Sequence, residues 1–135
     1  MLHHLSLGVL DLDRAAAFYD AALAPLGYVR VWGDDEALGY GYEGGGDKLA
    51  LKLTPAAALV IPGEGFHLAL TAGSREQVGQ FHQAALLHGG RCNGAPGLRP
   101  DYGDDYYAAF VFDPDGHRLE AVINAPDASC CNKQD

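Results

Sequence analysis

Apolar positions along this chain follow two periods, and they alternate twice in the same order. Residues 3–9 alternate, with His3, Leu5, Leu7 and Val9 on one face of a strand and His4, Ser6 and Gly8 on the other. Ala15, Phe18, Tyr19, Ala22, Leu23 and Leu26 then recur at helical spacing. Alternating segments at about 28–33, 37–43 and 47–53 predict three strands, separated by polar turns at 33–36 and 43–47. From residue 66 the order returns. Phe66, Leu68, Leu70 and Ala72 oppose His67, Ala69 and Thr71, and Val78, Phe81, Ala85 and Leu86 mark a second helix. Strands at about 90–94, 106–113 and 117–123 follow, the last two joined by the turn Asp113-Pro114-Asp115-Gly116.

The recurrence extends to residue identity. Displaced by 63 positions, residues 4–28 and 67–91 share eight of 25 residues, among them His4/His67, Phe18/Phe81 and Gly27/Gly90. Asp11 and Ser74 fall where each helix needs an N-cap, and Ser74 with Gln77 has capping-box spacing. Gly27 and Gly90 are the expected left-handed C-caps. The fold class implied is α+β: two tandem β-α-β-β-β modules, about 3–61 and 64–124, pairing into a curved, barrel-like mixed sheet around a shared cavity. A module of about 60 residues buries a marginal core alone, which is why two are expected to join in a single domain, 1–124. Residues 125–135 read as a flexible tail.

The bulky face of each first strand should meet its helix, leaving the face with His4, or with His67, toward the cavity. On the last strand, Leu119, Ala121 and Ile123 form the apolar face and Glu120 lies opposite. Its counterpart in the first module, now displaced by 70, is Ala50. Equivalent positions thus carry two imidazoles, one carboxylate and one methyl group. A lone strand histidine is more often a hydrogen-bonded structural residue. Three such groups at repeat-related positions favour a metal site instead, in the two-histidine, one-carboxylate set used by non-haem iron and by zinc.

Composition narrows the alternatives. Nine Lys and Arg against 18 Asp and Glu give a net charge of −9, which excludes polyanion partners, so no nucleic acid is expected. No run approaches the ~20 apolar residues of a membrane span, no leader pattern opens the chain, and a cytoplasmic location is the default. Cys92, Cys130 and Cys131 do not make a disulfide framework.

With its opening HLSLGVLDLDRAAAFYDAALAPLGY and its closing YYAAFVFDPDGHRLEAV, the chain resembles the vicinal oxygen chelate superfamily, the glyoxalase, bleomycin-resistance and extradiol dioxygenase group, over about residues 3–124. The resemblance implies a divalent metal (Fe, Mn, Ni, Co or Zn) held by His4, His67 and Glu120, a small substrate chelating it through two oxygens, and a homodimer. The reaction implied is of lyase, isomerase or dioxygenase type. Two other readings stand beside it: a non-catalytic, bleomycin-resistance-like binding protein, and a fosfomycin-type thiol transferase, in which a hydroxyl residue stands where Ser6 does. Ala50 departs from the glyoxalase I pattern, which has a glutamate there. The second module is longer by seven residues, placed most naturally in the Gly/Pro-rich stretch 93–105. There Arg99 is a candidate anchor for an anionic substrate and Tyr102 a candidate lid residue. Alternation sets Tyr107 with Ala109 and Val111 on the cavity face as a candidate proton donor. The 113–116 turn and the 43–48 Gly-rich hairpin are expected to be turns only, and His82, His88 and His117 packing or surface residues.

Overall fold

The computed structural model describes residues 1–127 of the 135. Strand β1 (Leu5–Val9) leads into helix α1 (Leu12–Leu23) and a 3-10 turn (Ala24–Leu26), then β2 (Val29–Gly33), β3 (Ala37–Gly41) and β4 (Leu49–Leu53). The second unit repeats the series with β5 (Leu68–Thr71), α2 (Arg75–Leu87), β6 (Arg91–Leu98), β7 (Tyr106–Phe112) and β8 (Arg118–Asn124). The strands form two four-stranded mixed sheets in the equivalent orders β1-β4-β3-β2 and β5-β8-β7-β6. This is the expected α+β duplication, and the two sheets are not closed onto one another.

The duplication holds to the residue. β1 and β4 run parallel with Ser6 opposite Ala50; β5 and β8 run parallel with Ala69 opposite Glu120. Ser6 and Ala69 are the 63-residue pair and Ala50 and Glu120 the 70-residue pair, so both sequence displacements correspond to one shared register.

Both helices begin as their sequences require. Asp11 accepts from the Arg14 amide at 3.0 Å and Ser74 from the Gln77 amide at 3.1 Å, while Gln77 turns back to accept from Gly73 at 2.6 Å. The C-terminal ends differ from expectation in one respect. Gly27 is left-handed (φ 88°), but in the second unit the left-handed residue is Gly89 (φ 99°), not Gly90. Gly90 is needed for another reason. A Cβ there would come within 2.6 Å of the Phe18 ring and 2.8 Å of the Ala85 and Phe112 carbonyl oxygens.

Part of the stretch expected to be a loop at 93–105 is strand. β6 continues to Leu98, with register irregularities between Cys92 and Gly94 and between Gly94 and Gly97. An edge strand tolerates this, since Pro96 needs no ladder donor on its open side and bulges absorb extra residues.

One core serves both units. Val9, Phe18, Tyr19 and Leu51 from the first join Val78, Phe81, Val111 and Leu119 from the second, all essentially without solvent exposure. Each helix packs on its own sheet and against the other helix. Burying a side chain such as Phe81 contributes about 1.5–3 kcal/mol. The sheet faces opposite the helices therefore point outward, away from the shared core.

The 113–117 turn closes the junction. Asp113, 2% exposed, accepts from the Tyr19 hydroxyl at 2.6 Å and from the amides of Asp115 and His117 at 2.9 and 2.8 Å. His117 donates Nε2–H to the Gly8 carbonyl at 2.7 Å, and Asp115 accepts from Arg14 at 2.7 Å and from the Leu10 amide at 3.2 Å. The turn expected only to reverse the chain thus also fastens the second unit to the end of β1. Burial holds the Asp113 carboxyl above its ordinary value, against the lowering effect of the Tyr19 hydrogen bond.

The tail assigned to 125–135 enters the described residues only as far as Asp127, which lies 3.7 Å from Arg75; Cys130 and Cys131 lie outside them. Among the described residues no helix is long and apolar enough to cross a membrane.

Candidate metal and substrate site

Strand pairing decides which side chains share a face. β7 and β8 are antiparallel, with Phe112 opposite Arg118, Phe110 opposite Glu120, Ala108 opposite Val122 and Tyr106 opposite Asn124. Cross-strand partners lie on the same face. The outer face of the second sheet therefore holds Glu120, Phe110, Phe112 and Tyr106, together with His67 and Ala69 from the neighbouring β5 side.

Glu120 is the centre of this face. Its side chain is 1% exposed, an unusual condition for a carboxylate. Oε1 lies 2.8 Å from His67 Nε2, and Oε2 accepts from the Tyr106 hydroxyl at 2.5 Å. No Lys or Arg pairs with it among the described residues. His67 is 48% exposed and meets Phe110 edge-on, their ring centroids 6.0 Å apart. Burial, followed by the hydrogen bond to Glu120, pushes the Tyr106 hydroxyl up to about 12. It therefore remains a donor at neutral pH. Tyr102, mostly exposed, packs edge-on against Tyr106 at 5.3 Å.

Arg99 follows the end of β6, its guanidinium 5.4 Å from the centre of the Phe110 ring. It donates to the Ala95 carbonyl at 2.6 Å and reaches the Leu98 carbonyl at 3.4 Å. His67 and Arg99 thus both contact Phe110.

The expected facing of Tyr107 is reversed. It packs toward the common core beneath the Arg75 guanidinium, 5.1 Å from its ring centre, and the hydroxyl on Glu120 belongs to Tyr106. Both faces of YYAAFVF are apolar, so alternation alone does not orient it. The signal that does is the turn: counting back from 113–116, Phe112 falls opposite Arg118 and Phe110 opposite Glu120.

His4 and Ser6 lie on the outer face of the other sheet. His4 is exposed just ahead of β1, its Nδ1 2.8 Å from Nδ1 of His3, and Ser6 is exposed opposite Ala50. On that face Thr54 and Leu59 close over Gly8, and the Trp32 indole covers Gly39. The structure joins His67 to Glu120 but not to His4. Among the described residues no three His, Cys, Asp or Glu side chains gather where they could hold a metal within one chain. His82 lies on α2, 3.1 Å from the Cys92 sulfur, and His88 at its C-cap bonds the Ala84 carbonyl at 2.8 Å.

The donor chemistry suits a divalent metal. His67 Nε2 and Glu120 Oε1 converge, and a buried carboxylate without a fixed cation gains most from one. In one chain two such donors converge.

Comparison with known proteins agrees with the architecture. Residues 1–121 match the family model of the Glyoxalase/Bleomycin resistance protein/Dioxygenase superfamily. Among solved structures, a glyoxalase/bleomycin resistance protein from Albidiferax ferrireducens T118 is 32% identical, with 88% of this chain and 94% of that chain covered and a TM-score of 0.73. A glyoxalase-related enzyme from Fulvimarina pelagi, 24% identical over 90% of this chain and 86% of its own, has a TM-score of 0.69 and shares the fold. Among curated proteins none matches the sequence.

Proposed function

Because the chain belongs to the glyoxalase/bleomycin resistance protein/dioxygenase superfamily, we propose that it is a divalent-metal-dependent enzyme acting on a small substrate that offers two neighbouring oxygens. The observation that carries this reading is the contact of His67 Nε2 with Glu120 Oε1 at 2.8 Å, on an outer sheet face where the carboxylate is nevertheless buried. When bound there, the metal supplies Lewis-acid polarisation of the substrate oxygens.

The chain's own residues have distinct tasks in this reading. Tyr106 holds Glu120 in a single orientation through its hydroxyl, leaving Oε1 for the metal side. Phe110 forms an apolar floor beside His67 and keeps water from the carboxylate. Ala50 offers no carboxylate from the first module. A route that draws a proton with a glutamate at that position is therefore absent, and the β1 residue opposite Ala50 is Ser6.

The third ligand is His4 of a second copy. Each chain presents His4 on one outward face and His67 with Glu120 on the other. A two-fold dimer that lays the first sheet of one copy over the second sheet of its mate completes two equivalent sites.

Metal content after equilibration with Mn, Fe, Ni or Zn tests this. Wild type should retain about one ion per chain, and His67→Ala and Glu120→Ala should lose it. Neither His4→Ala nor Glu120→Ala alone should bind, but the two co-expressed should regain one site per mixed dimer. A co-expressed pair that stays metal-free while wild type binds refutes the shared site. Wild type that binds none of these metals yet holds small molecules tightly is a binding protein.

A further inference from the structure

The second half-site differs from the first by more than Glu120. Its seven additional residues lengthen β6 to eight residues, bend it at two irregularities and carry it into the 99–105 turn, whereas β2 has five residues and a three-residue turn. The result of the bending is a seat for Arg99. A Cβ on Gly94 would come within 3.3 Å of one guanidinium nitrogen of Arg99, and a Cβ on Gly97 within 3.2 Å of another. Gly94 also has a positive φ (154°), which a side chain would resist. Two glycines therefore leave the space that the guanidinium fills, with Phe110 beneath it.

The charge of this group is unmatched. Asp101, Asp104 and Asp105 lie within six residues of it in sequence, yet no carboxylate pairs with Arg99 among the described residues, and its two partners are backbone carbonyls. A guanidinium has five N–H donors, so most of the fork is free. In a chain of net charge −9, a half-buried cation held open in this way is a poor salt-bridge residue and a good anion receptor.

Its placement relates it to the metal half-site. Phe110 stands directly across from Glu120, and Arg99 lies over Phe110. Strands are about 4.8 Å apart, which puts the guanidinium roughly 5–10 Å from the carboxylate. We infer that Arg99 binds a carboxylate of the substrate, so that the substrate class is a small molecule with two neighbouring oxygens at one end and a carboxylate at the other. This rests on the metal-site reading above and adds the second point of attachment. The first module has no counterpart, so this recognition belongs to the insertion.

Calorimetric titration of the Zn(II)-loaded protein with 3,4-dihydroxybenzoate and with its methyl ester tests the inference, since the two differ only in the charged group. Wild type should bind the acid about tenfold or more tightly than the ester, the range expected for a charge-assisted fork. Arg99→Gln should remove that preference by weakening acid binding more than ester binding, and Arg99→Lys should restore part of it. Circular dichroism identical to wild type shows the variants folded. Equal binding of acid and ester by wild type, or a preference that survives in Arg99→Gln, overturns the role of Arg99 while leaving the metal site intact. Failure of the protein to take up Zn(II) overturns the metal-site reading and this inference with it, whereas binding of neither probe by the loaded protein overturns this inference alone.

Discussion

Replacing Tyr19 by Phe isolates the bond that ties the 113–117 turn to α1. The ring is completely buried and would keep its packing, so the change removes one hydroxyl and its 2.6 Å bond to Asp113. Asp113 would retain the amides of Asp115 and His117, both on Oδ1, but Oδ2 would lose its donor in a site closed to water. A buried hydrogen bond to a charged group is worth about 1.5–3 kcal/mol. We expect a loss near 2 kcal/mol at pH 7, seen as a lower urea midpoint with unchanged slope and a Tm lower by roughly 6–10 °C at fixed protein concentration. The pH dependence adds a second check. Because burial holds the Asp113 carboxyl above its ordinary value, the folded chain keeps that proton to higher pH than the unfolded chain does. This favours folding in acid and is lost as pH rises through the folded value. Without the Tyr19 donor the carboxyl moves higher still. The Tyr19→Phe deficit should therefore be full near neutrality and shrink once Asp113 is protonated. Tyr40→Phe is the control. Its hydroxyl bonds Asp20, which is half exposed and also paired with Arg30, so it should lose only about 0.5–1 kcal/mol. A Tyr19→Phe loss no larger than that of the control, or one independent of pH, would refute the role assigned to the turn.

Two further substitutions probe the frame that positions the site. Gly90→Ala drives a methyl group into the Phe18 ring and two carbonyl oxygens and should cost about 1–3 kcal/mol in chemical denaturation, whereas Gly63→Ala, which meets nothing within 4 Å, should be nearly neutral. Ser74→Ala removes the oxygen that caps Gln77 and should destabilise by about 1 kcal/mol in the same assay, without changing metal content.

Much of the candidate site is legible in the amino-acid sequence, and each departure from it has a physical cause. His67 and Glu120 can be read from it because alternation within a strand and a duplicated register are local and repeated. Tyr107 falls on the opposite face from the one alternation suggests because both faces of its strand are apolar, and only hairpin pairing with β8 orients it. The length of the insertion is visible at 93–105. Its conversion into a bulged strand with a guanidinium seated on Gly94 and Gly97 is not, since bulge geometry depends on the neighbouring strand. The 113–117 turn is recognisable as a turn, but its partners Tyr19 and Gly8 are about a hundred residues away, beyond any local pattern.

The sequence by itself determined the repeated β-α-β-β-β unit, its caps, and the separation of chemical from core-forming side chains, because backbone periodicity and capping act over a few residues. Only the tertiary structure decided how the two units meet. The largest apolar surfaces lie on the helix sides, and burying them together makes one core and turns outward both the face with His4 and the face with His67 and Glu120. His4 is thereby separated from His67 and Glu120 within a chain, although sequence alternation assigns all three to equivalent faces.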